Sequence, residues 1–345
     1  MSGRGRIRRT TSTAPSRRRR TWRPGVLLAV LLGLVVSACA PSPYAPTPLP
    51  SASPTPGVES PAPAATPGAT PAPSECADPL ASYAPLSPLP GPGAMPAGST
   101  MAEIRDRGRL VVGVSADSLL LGSRNPISGR IEGFDIDLAR LVAQAIFGDP
   151  DRIELRVITA AERIPLLQDG SVDLVARNMT ITCARWEEIA FSAEYYRSGQ
   201  KVLVPLGSPA TSLADLAGSR VCAPAGSTSL ARMADFPEVE AVSATTHTDC
   251  LVRFQQGDVD AITGDDTVLA GLAAQDPYAE VVGEAFTDEP YGLGVNAEDV
   301  DLARFVNGVL AQAVADGTWA RSYERWLAGA LGPAPAPPAP DYGRG

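Results

Sequence analysis

Ile164-Pro165-Leu166-Leu167-Gln168-Asp169-Gly170-Ser171-Val172-Asp173-Leu174-Val175-Ala176 carries two elements in succession, and the architecture follows from them. Ile164 to Gln168 reads as a short helix and Val172 to Ala176 as an apolar strand. Toward the N-terminus, Ile153 to Ile158 reads as a strand. Before it, Phe134, Ile136, Leu138, Leu141, Val142 and Ile146 recur at helical spacing, and Arg109 to Val114 is a buried strand. The order strand, helix, strand, helix, strand predicts a mostly parallel sheet covered by helices. A second copy follows: strands at Arg220 to Ala223, Val239 to Val242 and Asp260 to Thr263, with helices after Ser229 and over Leu251 to Gln256. Two α/β lobes are the simplest reading.

Outside this core the composition changes. Arg17 to Arg20 and Arg23 precede the apolar run Val26 to Val36, and Val36-Ser37-Ala38-Cys39 closes it with small residues before a cysteine. That is the pattern of a lipoprotein signal peptide over 1–38, with Cys39 as the thiol to be acylated. An uncleaved anchor over residues 25–38 is the alternative, and either way the remainder lies outside the cytoplasm. The leader holds nine of the 29 basic residues and no acid, so from Cys39 onward 20 basic residues face 38 acidic ones, a net charge of −18. Such acidity argues against nucleic acid or an anionic membrane surface as a partner. Residues 39–100 are rich in Pro, Ala, Ser and Thr and read as a disordered tether; the tail, 331–345, repeats that composition and carries the same expectation.

Gly133-Phe134-Asp135-Ile136-Asp137-Leu138, the stretch from Ile164 to Asp173, and Asn178-Met179-Thr180-Ile181-Thr182 with Arg185 resemble the polar amino-acid family (family 3) of periplasmic solute-binding proteins. Ala225-Gly226-Ser227-Thr228-Ser229, Gly257-Asp258-Val259-Asp260-Ala261, Asp265-Asp266, and the terminal Asp316-Gly317-Thr318-Trp319 and Tyr323-Glu324-Arg325-Trp326-Leu327 continue the resemblance in order. It spans about residues 101–330. The loop Leu121-Gly122-Ser123-Arg124-Asn125 and the Pro-rich tether resemble actinobacterial glutamate-binding lipoproteins. The resemblance implies the type II periplasmic-binding-protein-like fold, two hinged lobes crossed twice by the chain near Gly199 to Val202 and Phe286 to Gly292. Lobe 1 is then 101–200 plus 289–330 and lobe 2 is 201–288, closing on a ligand held by both.

The same resemblance assigns roles. Arg185 is expected to grip an amino acid's α-carboxylate with its planar fork, with Thr180 donating a hydroxyl to it and Asn178 adding amide or backbone contacts. Asp265 matches the family's acid for the ligand ammonium, with Asp266 its solvated neighbour. Arg163 stands where relatives that bind acidic amino acids carry arginine, and His247 where some aspartate/glutamate binders place a histidine. Leu119 or Leu120 and Ala160 replace the stacking aromatics of neutral amino-acid binders. Asp117 falls where a glutamine binder uses an acid to accept from a side-chain amide, which keeps glutamine and asparagine open. Gly226, Ser227 and Thr228 precede a helix whose N–H groups are suited to a carboxylate, with capping of that helix as the plainer role.

With Cys39 set aside, Cys76, Cys183, Cys222 and Cys250 allow three pairings. Cys222 and Cys250 both fall in lobe 2, so they are expected to pair, leaving Cys76 with Cys183. Their spacing fits no compact metal site, no Cys–His neighbour pair marks a catalytic thiol, and neither metal, cofactor nor catalysis is expected. The expected protein is a monomeric, lipid-anchored extracytoplasmic binder of glutamate or aspartate serving an ABC permease. A sensor subunit with the same pocket is the second class, and a dehydratase-like enzyme on this fold the third.

Overall fold

The computed structural model describes Cys76 and residues 78–345; the leader and Cys39 lie outside the described residues. In the first lobe Leu110–Val114 is buried at every position, as an apolar strand covered on both faces must be. It pairs in parallel with Ile153–Val157 on one side and Leu174–Ala176 on the other. The sheet is then extended by Gly294–Asn296, which runs antiparallel to both Leu174–Ala176 and Ile189–Phe191. Helices Phe134–Phe147 and Val300–Ala315 bury Phe134, Ile136, Leu138, Leu302, Phe305 and Val306 against it. Each such side chain contributes about 1.5–3 kcal/mol.

The second lobe repeats the plan, with strands in the order Glu240–Ala244, Arg220–Pro224, Ala261–Asp265, Gln200–Pro205, Ala279–Val282. The first three are parallel, and Gln200–Pro205 is antiparallel to both of its neighbours. Both sheets are thus mixed: the strands expected from sequence run parallel, and one strand next to the edge, Gly294–Asn296 in the first sheet and Gln200–Pro205 in the second, runs antiparallel to both of its neighbours. Cys222 and Cys250 form a disulfide, Cα atoms 5.6 Å apart, joining the strand to helix His247–Gln256. That helix begins four residues earlier than expected, because Thr246 and Asp249 form a reciprocal capping box ahead of the apolar periodicity.

The chain crosses between the lobes along Tyr196–Ser198 and Glu289–Tyr291, which pair antiparallel in a two-stranded ribbon. This ribbon is the hinge, and it brings Glu289 against Thr180 and Thr228 and Tyr291 against Asp265.

The expectation of disorder is corrected where the expected tether and tail are described, while residues 39–75 of the tether lie outside the described residues. Ala81–Tyr83, within the expected tether, pairs in parallel with Asp341–Arg344, within the expected tail. Ser82 is fully buried and donates to Phe191 O (2.9 Å), while Asn307 donates to Ser82 Oγ (3.0 Å) and Tyr83 O (2.7 Å). Cys76 is bonded to Cys183, Trp186 donates to Pro79 O (2.8 Å), and the Arg344 guanidinium lies 3.8 Å from the Trp186 ring centroid. Proline-rich composition lowers the number of backbone donors, but here a few anchors, one disulfide and one stacked arginine replace the missing ladder bonds. Among the described residues no helix is long and apolar enough to cross a membrane.

Candidate functional site

Every expected site residue stands at or just beyond the carboxyl end of a parallel strand, or on a helix entered from one. This is where open α/β sheets gather ligand-binding groups. Leu110–Val114 leads to Asp117, Ile153–Val157 to Arg163, and Leu174–Ala176 to Asn178 and Thr180. From the second lobe, Arg220–Pro224 leads to Gly226, Ser227 and Thr228, Glu240–Ala244 to His247, and Ala261–Asp265 ends on Asp265.

Arg163, Asn178, Thr180, Ser227, Thr228, His247 and Asp265 line one cavity, together with Arg177, which sequence reading missed. Its volume is about 10 Å³. That is about the room one water needs and too little for an amino acid. Arg185, Gly226 and Asp117 stand beside this cavity rather than on its wall.

Gly226 joins the lobes. Its carbonyl accepts from Arg163 Nη2 (3.0 Å) and from Arg185 Nη2 (3.3 Å), both from the opposite lobe. Its φ of +74° lies in the left-handed region, and a Cβ there would come 2.7 Å from Ala161 Cα, so glycine permits the close approach. Arg185 also donates to Thr180 O (2.6 Å). Burial draws its pKa down, with Glu289 and Asp265 opposing.

Asp265 is a buried carboxylate at the end of its strand. Tyr291 donates to its Oδ2 (2.6 Å), and Tyr291 is itself held by Thr267 at 2.9 Å. Its Oδ1 is buried with no partner at hydrogen-bond distance, as is Asn178 Oδ1, although the Asn178 amide lies near enough to stabilise the ionised carboxyl weakly. Burial first, then the charge of Glu289, raise the Asp265 carboxyl to about 7. A buried carboxylate short of a partner is costly unless a donor arrives.

Arg163 is 3% exposed and heavily committed: Nε donates to Ala160 O (2.9 Å) and Nη1 to the carbonyls of Arg177 and Asn178 (both 3.2 Å). With Nη2 on Gly226, its role in this geometry is to fix loops and close the cleft, which differs from the free side-chain donor expected. Arg177 donates only Nε, to Ile158 O (2.9 Å), and faces the charges of Asp117, Asp135 and Glu162. An arginine directly after an apolar strand was the available signal for it.

His247 opens its helix and contacts Thr263 O (3.2 Å); a Cβ on Gly264 would lie 2.5 Å from its Nε2. Burial lowers its pKa to about 4, so at neutral pH it is an uncharged donor or acceptor. Burial alone would raise Asp117. The surrounding hydroxyls of Ser115, Thr246 and Thr248 and the charge of Arg177 outweigh that, and its pKa falls below the usual value.

The hinge supplies a residue that the sequence reading passed over. Glu289, 4% exposed, accepts from Thr180 (2.7 Å), Thr228 (2.8 Å) and Thr287 (2.7 Å). Thr180 therefore gives its one proton to Glu289 and not to the cavity, unlike the donor role expected for it. Ser227 spends its hydroxyl on Pro224 O (2.7 Å) and on capping Leu230 N (3.0 Å). The capping role foreseen for it is thus present. Among the described residues no group of His, Cys, Asp and Glu is gathered to hold a metal ion.

A family model for bacterial extracellular solute-binding proteins, family 3, matches residues 110–329. The chain belongs to this family. Among its family 3 relatives, the ABC transporter glutamine-binding protein GlnH of Bacillus subtilis is 37% identical over 230 residues, 66% of this chain and 84% of that protein. The glutamate-binding protein GluB of Corynebacterium glutamicum is 34% identical, covering 63% of this chain and 77% of its own. Among solved structures, the L-cysteine solute receptor of Neisseria gonorrhoeae superposes with a TM-score of 0.65 at 29% identity, over 68% of this chain and 96% of that one. An ancestral arginine-binding protein bound to glutamine gives 0.60 at 32% identity, over 64% and 98%.

Proposed function

We propose that this family 3 protein binds an amino acid with a short acidic side chain, glutamate or aspartate, between its lobes and delivers it to an ABC permease by hinge opening and closure. The observation that carries the reading is the unpartnered, buried Oδ1 of Asp265 in a cavity bordered by the Arg185 guanidinium. Together they match the ammonium and carboxylate of one zwitterion. Opening of the lobes breaks the Arg185 bond to Gly226 and frees that Nη2 for a ligand carboxylate. Arg177, with its terminal nitrogens uncommitted, and Arg163 offer positive charge to a second carboxylate, and the glutamate-binding relative supports that choice.

Glutamine or asparagine is the second reading, favoured by the ionised Asp117 beside Arg177, an acceptor and a donor suited to the two ends of an amide. The uncharged His247 and the glutamine-binding relative point the same way. The reading extends to a monomer held at the outer face of the cell membrane by acylated Cys39, and a membrane sensor in place of the permease would use the same cleft. Calorimetry of the purified chain against the twenty amino acids tests it. Tightest binding of glutamate or aspartate is expected; preference for the amides selects the second reading, and binding of none rejects both.

A further inference from the structure

Glu289 sits on the hinge strand Glu289–Tyr291, outside the motifs from which the site was read, yet its carboxylate takes hydroxyl protons from both lobes. A threonine hydroxyl has one proton and two lone pairs, and a carboxylate can only accept. With the protons of Thr180 and Thr228 both drawn to Glu289 Oε2, the 3.3 Å approach of the two hydroxyl oxygens carries no hydrogen bond of its own. Thr180 Oγ1 is therefore left with lone pairs only. Thr180 lines the same cavity as Asp265 and Asn178, whose Oδ1 atoms are both buried and unpartnered.

We infer that Glu289 is a positioning residue for the ligand's ammonium: by holding the Thr180 proton it turns that hydroxyl into an acceptor, completing a three-acceptor set with Asp265 and Asn178. An ammonium group has three N–H donors and no acceptor, so the set matches it in number and in polarity. The same arrangement discriminates against a ligand with a hydroxyl or hydrogen at the α-position, which leaves two or three buried acceptors unpaired. Asp265 supplies the charge; Glu289 acts through Thr180 and supplies direction. The inference rests on the amino-acid reading above and adds to it the group that orients the head.

The test is a double-mutant cycle read by calorimetry on the full chain, with L-glutamate and L-glutamine as probes and glutarate as the analogue lacking the ammonium. Glu289→Ala is expected to weaken both amino acids about tenfold or more, and glutarate far less. Glu289→Ala with Thr180→Val is expected to bind as Thr180→Val alone does, because the effect runs through that hydroxyl. Glu289→Gln, whose amide oxygen still accepts from Thr180, is expected to recover most of the loss. Tighter amino-acid binding by Glu289→Ala overturns the inference and makes Glu289 a competitor of the ligand carboxylate. Additive effects of the two substitutions, or equal losses for glutamate and glutarate, overturn it as well. Should Glu289→Ala fail to fold, Glu289→Gln decides: a loss as large as that of Thr180→Val rejects the inference. A wild-type chain that binds no amino acid rejects the functional reading and this inference with it, whereas wild-type binding with any of the other outcomes rejects this inference alone.

Discussion

The two ends of the cleft are built on opposite principles. At the head-group end, buried acceptors wait without partners: Asp265 Oδ1 and Asn178 Oδ1. At the side-chain end the groups are already engaged. Arg163 is spread over four carbonyls, His247 is held at Thr263 O, and Asp117 is wrapped in hydroxyls beside Arg177. The first end gains most from a ligand, since each unpaired buried group costs about 1–3 kcal/mol until it is satisfied. In the proposed reading the second selects among ligands by shape and by the balance of Arg177 against Asp117. One end would then set whether an amino acid binds, and the other which.

Substitutions sharpen this contrast. Asp265→Ala is expected to cost the upper part of about 2–5 kcal/mol in binding of every amino acid, side chain notwithstanding. Calorimetry showing a loss for glutamate but not for glutamine would break the division between the ends. Arg185→Ala is expected to cost the lower part of that range of about 2–5 kcal/mol, again uniformly, since its freed donors serve the shared α-carboxylate.

The pH dependence belongs to the head-group end. Ammonium binding needs Asp265 ionised, and its carboxyl stands at about 7. Affinity is therefore expected to fall as pH drops below about 7, approaching tenfold per unit, with proton release measurable at pH 6 in buffers of different ionisation enthalpy. The sign for stability is opposite. Burial raises Asp265 from 3.8 to about 7 and Asp135 from 3.8 to about 6, while it lowers His247 from 6.5 to about 4; the two carboxyls outweigh the one imidazole, so over that window the folded chain holds more protons than the unfolded one. Unbound stability then decreases as pH rises through about 4 to 7. Thermal melts that rise steadily over that window would contradict the assignment.

At the side-chain end the effects are smaller and selective. Arg177→Met is expected to weaken glutamate about tenfold more than glutamine, by removing the cation that offsets Asp117. His247→Ala is expected to change both ligands by only a few-fold, since the ring is uncharged in the folded protein. A large loss confined to glutamate would assign His247 the role of a cation.

Much of this molecule was legible in its residues. The strand at Leu110–Val114, the helix from Phe134 and the strand at Leu174–Ala176 follow from local apolar spacing, which acts over a few residues and needs no partner to be read. Family 3 membership follows from motifs that keep their order along the chain. Glu289 was not legible as a site residue, because what makes it one is the meeting of Thr180, Thr228 and Thr287 around its carboxylate. Arg163 was read as a donor waiting for ligand, and only the loops folded around it reveal four carbonyls already in place. Ala81–Tyr83 and Asp341–Arg344 looked like solvated linker because composition reports each segment's own ability to bury surface. It is silent about two weak segments that stabilise one another.

Sequence alone determined the two α/β lobes, the family and the residue types gathered at the strand ends, since these depend on short-range periodicity and on motifs. The tertiary structure decided which polar atoms are already paired and which remain unpaired. A hydrogen bond consumes a particular proton or lone pair, and its partner here can come from far along the chain, 109 residues away between Thr180 and Glu289.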